Sequence, residues 1–188
     1  MDFTKITNLE LDEIDLSSLS LNIDNSEYIH YFESKSSVDH YRLLSYISLN
    51  NNDIKFLDIG TLKGCSALAM SINDNNEVNS FNLYNELQLK SNPPNINFYI
   101  DDILKPKYLE LILSSKYILL DTFHDGTFET VFFEYLKKIG YEGYLLLDDI
   151  KLNNEMMIFW DSIDIEKLDI THLGHWTGTG VLTFKNKK

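Results

Sequence analysis

Two apolar runs in this chain end in acids. Residues 118–120 read Ile-Leu-Leu and lead into Asp121-Thr122-Phe123-His124-Asp125, and residues 145–147 read Leu-Leu-Leu and lead into Asp148-Asp149. At the carboxyl ends of neighbouring strands in an open parallel sheet, such groups face one crevice, so Asp121, Asp148 and Asp149 would share one volume. Three carboxylates repel each other there unless a cation neutralises them. Oxygen donors select Mg²⁺ or a similar divalent ion, which keeps waters that a substrate can replace. The alternative is that one of Asp148 and Asp149 caps the helix that follows.

A second constellation is Asp58-Ile59-Gly60-Thr61-Leu62-Lys63-Gly64-Cys65-Ser66, which runs from a β-rich segment into a helical one. Gly60 allows a tight turn at the strand end, Gly64 allows a ligand to approach the backbone, and the helix start offers free N–H groups. The spacing is G-x-x-x-G, not the G-x-G-x-x-G of pyrophosphate binders. Asp58, two residues before the first glycine, suits a cationic amino-acid moiety better than a diphosphate. A G-x-x-x-G pair also occurs at helix packing contacts, and that reading stays open here.

These residues need elements to position them. Apolar spacing predicts a helix over 37–49, then strands at 54–59, 78–83, 96–100, 117–121 and 143–147, with helices at 66–72, 108–114, 128–139 and 154–163. Strands alternating with helices imply a mostly parallel sheet with helices on both faces. Residues 168–173 and 180–184 read as two further strands, and the connection 174–179 is too short for a crossover helix, so this pair must be antiparallel. The expected fold is therefore α/β, a Rossmann-like, doubly wound, seven-stranded sheet, mostly parallel with a C-terminal antiparallel strand. One domain is expected over residues 1–188, with 1–36 an irregular or helical lead-in and 37–188 the α/β core.

The glycine turn, with Asp58, Gly60, Thr61, Gly64 and Ser66, resembles the first motif of class I S-adenosylmethionine-dependent methyltransferases, the small O-methyltransferases especially. The resemblance implies that these residues hold the methionine part of S-adenosylmethionine. It also implies an acid for the ribose hydroxyls at the end of the second strand, where this sequence has Asn82; nearby Glu86 could substitute. Tyr99-Ile100-Asp101-Asp102 resembles the adenine-edge motif, with Asp102 accepting from the exocyclic amine, although a solvated turn would read the same way. Asp121 joins this cofactor set.

The strand-end acids are similar to those of divalent-metal O-methyltransferases acting on catechols and on some sugars. That likeness implies a metal on Asp121, Asp148 and Asp149, with His124 standing where the catechol enzymes carry a lysine base. Methyl transfer from a sulfonium needs mainly alignment and deprotonation of the acceptor, which a histidine near neutral pH can perform. His124 could instead bond to a loop or to Asp125. The implied activity is O-methyl transfer to a small molecule or a sugar residue of a glycan. A metal-independent methyltransferase and a non-catalytic cofactor-binding module are the competing readings, the latter kept open by Asn82.

In the glycine-rich segment 171–180, His175 and Trp176 could close over the acceptor, or Trp176 could simply cover the sheet end. His172 and His175 lack the further partners of a zinc site. His40-Tyr41-Arg42, opening the first helix, could touch the cofactor or could face solvent. The formal net charge of −13 repels phosphate backbones and argues against nucleic acid as a partner. No apolar run reaches the roughly 20 residues of a membrane span. The single cysteine, Cys65, and the acidic start of the chain point to a cytoplasmic location. A homodimer is compatible with all of this.

Overall fold

A computed structural model describes residues 1–185, the side chain of Ser26 apart; residues 186–188, the end of the expected domain, lie outside the described residues. Four helices come first: α1 (Asn8–Asp12), α2 (Ser17–Ser20), α3 (Ser26–Glu33) and α4 (Val38–Leu49). The central unit follows as β1 (Lys55–Ile59), α5 (Cys65–Met70), β2 (Glu77–Asn82), β3 (Ile96–Ile100), α6 (Leu109–Ser114), β4 (Tyr117–Leu120), α7 (Thr127–Ile139) and β5 (Gly143–Asp148). It is completed by α8 (Asn154–Ser162), β6 (Lys167–Asp169) and β7 (Thr179–Phe184). The seven strands form one sheet in the order β3-β2-β1-β4-β5-β7-β6, parallel except for β7, which runs antiparallel to both β5 and β6. This is the mostly parallel α/β sheet with an antiparallel ending that the sequence predicts.

Side-chain alternation along the strands divides the core into two layers. Phe56, Val78, Tyr117, Leu119, Leu146 and Val181 pack on one face with α4 and α5. Leu57, Ile59, Ile118, Leu120, Leu145 and Leu147 pack on the other, against Phe132 and Leu136 of α7 and Met156 and Phe159 of α8. The polar lead-in proves to be part of the first layer: Phe3, Ile6, Leu11, Leu16, Leu19 and Ile23 are all buried. Their spacing is irregular because they come from short helical pieces joined by turns, so no single period marks them in the sequence.

The expected strand at 168–173 stops early. Asp169 accepts hydrogen bonds from the backbone N–H of Thr171 at 3.0 Å and from its hydroxyl at 2.5 Å. That local turn ends β6 and starts a 3₁₀ turn over Thr171–Leu173. Ile170 and Leu173 are then both buried at a spacing of three, which suits a turn rather than a pleat.

Because β1, β2, β3, β4 and β5 are parallel, their carboxyl ends open onto one rim of the sheet. The register sets Asp58 beside Ser80 on one side and Leu119 on the other, and Asp148 beside Thr179 of β7. All the acids singled out above are thus delivered to one end of the molecule.

Candidate active site

The glycine turn leaves β1 with Gly60 at φ +100° and enters α5 through Gly64 at φ +93°. Its close approach is to protein. A Cβ built on Gly60 would lie 1.6 Å from the carbonyl oxygen of Asp121, and one on Gly64 would meet the Leu89 side chain at 3.0 Å. Gly60 thus lets the β1 and β4 exits pack backbone to backbone, and Gly64, which does not line the cavity, makes room for Leu89 and not for a ligand.

Asp58 also lies behind the wall. It is fully buried and accepts hydrogen bonds from Ser80 Oγ at 2.8 Å and Ser66 Oγ at 3.1 Å. Burial pushes its carboxyl up to about 6 against the hydrogen bonds from Ser80, Thr61 and Ser66. Asp58, expected to face a cationic ligand, does not line the cavity and braces the turn from beneath, since a strand residue one pleat from the exit points into the sheet layer; its Oδ1 has no hydrogen-bond partner among the described residues. Thr61 and Ser66 do line the cavity, as does Cys65, whose thiol burial pushes up to about 12, well away from a nucleophilic thiolate.

Above the rim is a cavity of about 820 Å³, a size that suits a small-molecule ligand. α3 and α4 wall one side with Tyr31, His40 and Tyr41, and the loops after β2 and β3 wall another with Asn82, Glu86, Asp101 and Asp102. Asn82 spends its carbonyl on the N–H of Leu83 at 2.9 Å, while Glu86 pairs with Lys63 at 3.1 Å. Asp101 is held by Lys105, Lys107 and the hydroxyl of Tyr108, which keep it below the usual carboxylate range. Asp102 accepts from the N–H of Leu104 at 2.9 Å, ordering the turn after β3.

At the opposite end Asp121, His124, Asp148, Asp149 and His175 meet. His124 Nε2 lies 3.2 Å from Asp121 and 3.6 Å from Asp149. Its residue adopts φ +55°, and the loop that presents it is tied down by the buried Glu129 of α7, which accepts from Thr122 Oγ1 at 2.7 Å and from the His124 N–H at 3.1 Å. Burial opposes the charged imidazole, yet the hydrogen bond to Asp121 and the charges of Asp121, Asp149 and Asp148 raise its pKa to about 9. Without a cation beside it, the His124 imidazole is thus held in its charged form to higher pH than an ordinary histidine.

Asp149 accepts from Thr177 Oγ1 and lies 3.0 Å from His175 Nδ1. Burial would raise its pKa, but those two partners and the nearby imidazoles hold it down. Asp148 behaves oppositely, driven well above the carboxylate range by burial and then by the charges of Asp121 and Asp149. Its Oδ1 is buried and has no hydrogen-bond partner among the described residues. An orphaned, charge-repelled carboxylate oxygen facing a cavity is what a cation would satisfy, and the ligand atoms that gather closely around Asp148 are those of His40 and Asp121 on one side and of Asp149 and His175 on the other, not the three aspartates together. Asp148 sits at the end of β5 and Asp149 at φ +58° just after it, so neither side chain caps α8; Asn153 does, accepting from the Met156 N–H at 2.8 Å.

Trp176 is 72% exposed and does not line the cavity, unlike its neighbour His175. His40, weighed above as a cofactor contact or a solvent-facing residue, is 5% exposed with Nδ1 3.5 Å from Asp148 Oδ1. Burial, against the pull of Asp121, lowers its pKa to about 4, so it is neutral. Glu129 and Thr177 were not singled out by the sequence. An acid in the first turn of a helix reads as a partner of the helix dipole, and nothing in that pattern reports a buried loop anchor.

The sequence matches no protein-family model and no curated protein. Solved structures do match it. The O-methyltransferase TomG from Streptomyces achromogenes, solved with S-adenosylmethionine, superposes with a TM-score of 0.60 at 12% identity, covering 99% of this chain and 100% of that one. The methyltransferase PaMTH1 of Podospora anserina, bound to S-adenosylhomocysteine, gives 0.57 at 12% identity over 91% of this chain and 94% of that one. A Corynebacterium glutamicum protein gives 0.59 at 13% identity over 92% and 96%. Identities this low speak for architecture, and the strand order with its inserted antiparallel β7 agrees with them: the chain has the class I methyltransferase fold.

Proposed function

We propose that this protein is an S-adenosylmethionine-dependent O-methyltransferase acting on a hydroxyl of a small molecule or a sugar, assisted by a divalent cation. The observation that carries the reading is the cavity of about 820 Å³, which runs from the Gly60 turn to a rim where Asp121, Asp148 and Asp149 gather. The binding of S-adenosylmethionine and its product by TomG and PaMTH1, on the same fold, supports the choice of cofactor.

In this reading Thr61, Ser66 and the backbone around Gly60 receive the amino-acid end of the cofactor. Asn82 and Glu86 face the ribose, and the Asp102 turn lies at the adenine end. The sulfonium donor is already activated, so the residues mainly align acceptor oxygen and methyl group. A cation on Asp121, Asp148 and Asp149 supplies charge that makes an acceptor hydroxyl more acidic. His124 accepts the proton in its neutral form, which in the metal-free protein is reached near pH 9. Turnover should rise with pH toward an inflection at or below that value, and His124→Gln should flatten the profile; an unchanged profile removes His124 from this role.

Calorimetric titration with S-adenosylhomocysteine tests the reading directly. Saturable one-to-one binding is expected. A correctly folded protein that shows none would end the proposal.

A further inference from the structure

Besides His124, the acidic rim contains the imidazoles of His40 and His175, which an all-oxygen cation site does not require. His40 is 5% exposed, and its Nδ1 has no hydrogen-bond partner among the described residues. The atom it faces is Asp148 Oδ1, 3.5 Å away, likewise buried and likewise without a hydrogen-bond partner. Two buried polar atoms directed at each other without bonding leave both desolvation costs uncompensated, unless something else occupies the space they share.

The same carboxylate oxygen lies 3.8 Å from a second imidazole nitrogen, His175 Nδ1, but that nitrogen is already hydrogen-bonded, 3.0 Å from Asp149 Oδ1 and 2.8 Å from Thr177 Oγ1. Donor atoms of His40, Asp121 and Asp148 lie within 4.8 Å of one another, as do those of Asp148, Asp149 and His175. Ligands about 2.1 Å from one ion must stand roughly 3.0–3.5 Å apart at the angles of octahedral or tetrahedral sites. The spacing around Asp148 Oδ1 is close to that of a coordination sphere and too long for a good hydrogen bond.

Resting on the proposed function, we propose that His40 binds the cation through Nδ1 beside Asp121 and Asp148, and that the ion is a first-row transition metal in preference to Mg²⁺. The reason is ligand chemistry. Mg²⁺ takes oxygen donors and holds its waters, whereas imidazole nitrogen favours the ions whose affinities rise from Mn²⁺ toward Zn²⁺. One nitrogen from α4, 3.5 Å from the orphaned Asp148 oxygen, changes the selectivity that carboxylates alone would give.

The test uses the full chain stripped with chelator and titrated with Co²⁺ or Mg²⁺ alone. Co²⁺ should bind at least about tenfold more tightly than Mg²⁺. His40→Asn, which exchanges nitrogen for an amide oxygen, should weaken Co²⁺ by about 10-fold or more while leaving Mg²⁺ nearly unchanged. Pulsed electron paramagnetic resonance on the Mn²⁺ form should show ¹⁴N couplings that diminish in that variant. Equal affinity for Co²⁺ and Mg²⁺, or a Mn²⁺ spectrum without nitrogen couplings, overturns the proposal. If the variant fails to fold, the wild-type affinity ratio and spectrum decide alone. Retained S-adenosylhomocysteine binding alongside a failed metal test rejects the imidazole site and spares the methyltransferase reading. A nitrogen-ligated metal in a protein that ignores S-adenosylhomocysteine does the reverse.

Discussion

Replacing Gly60 with alanine adds one methyl group, and the structure gives that group no place. At φ +100° an L-residue is strained by about 1–3 kcal/mol. The new Cβ would also lie 1.6 Å from the Asp121 carbonyl oxygen and 2.6 Å from its carbon, both backbone atoms that cannot rotate away. Forcing the β1 and β4 exits apart adds at least the roughly 1–3 kcal/mol of an overpacked core. It also loosens the bonds from Gly60 N–H to the Phe81 carbonyl and from Asp121 N–H to the Ile59 carbonyl, each 2.9 Å. The combined expectation is a loss of about 2–6 kcal/mol from a total that for most proteins is about 5–15 kcal/mol. Gly140→Ala is the matched control, because Gly140 has φ +70° but no atom of the described residues within 4 Å of a built Cβ. It should lose only about 1 kcal/mol. Urea unfolding of the two variants measures both terms, and S-adenosylhomocysteine titration of folded Gly60→Ala should show weakened binding. If Gly60→Ala is no less stable than Gly140→Ala, or binds like the wild type, the reasoning about the turn is wrong.

At pH values above its raised titration, Asp148→Asn should stabilise the metal-free protein while abolishing its thermal response to divalent ions, because the amide removes the charge that burial, Asp121 and Asp149 oppose and can donate toward His40 Nδ1. A relief of roughly 1 kcal/mol would raise the melting temperature by about 2–4 °C, and a fall would contradict the geometry. In the metal-free protein His40 keeps its pKa near 4 when folded and returns to about 6.5 when unfolded, so it contributes stability above pH 6.5 that is lost as pH falls toward 4. Asp58, raised to about 6, works with the opposite sign in part of that window, so the measurement is the difference in pH slope between wild type and His40→Asn, and equal slopes would refute the burial of a neutral imidazole. Glu129→Ala should cost about 1–3 kcal/mol by leaving Thr122 Oγ1 and the His124 N–H unpaired, and should weaken cation binding by releasing the loop. Retention of wild-type stability and metal affinity together would show that the anchor is idle.

Much of this architecture is legible in the sequence because parallel strands buried on both faces are continuous apolar runs. Residues 118–120 and 145–147 announce β4 and β5 and hand Asp121 and Asp148 to the rim without ambiguity. The short link at 174–179 discloses the antiparallel β7 for the same reason, since chain length alone forbids a crossover. What stays hidden is direction. Asp58 sits in the same motif as Thr61 and Ser66, yet the pleat turns it into the protein, and only the pairing of Asp58 with Ser80 reveals this. The position of His40 depends on how α4 lies across the sheet, and the protonation of His124 depends on three acids whose distances no spacing rule supplies. Six apolar residues of the lead-in escape periodicity because short pieces of helix joined by turns have no common phase.

The seating of β7 between β5 and β6 has a kinetic corollary. β5 gains its second hydrogen-bonding neighbour from residues 179–184, a partner separated from it along the chain by α8 and β6. Until that late, long-range pairing forms, Leu145, Leu146 and Leu147 offer an open apolar edge, which is the usual template for association with another chain. The same step sets Thr179 against Asp148 and carries Thr177 and His175 to Asp149. Refolding should therefore yield competence for ions only at the end of its slowest phase, and crowding of incompletely paired molecules should compete with that phase in a concentration-dependent way.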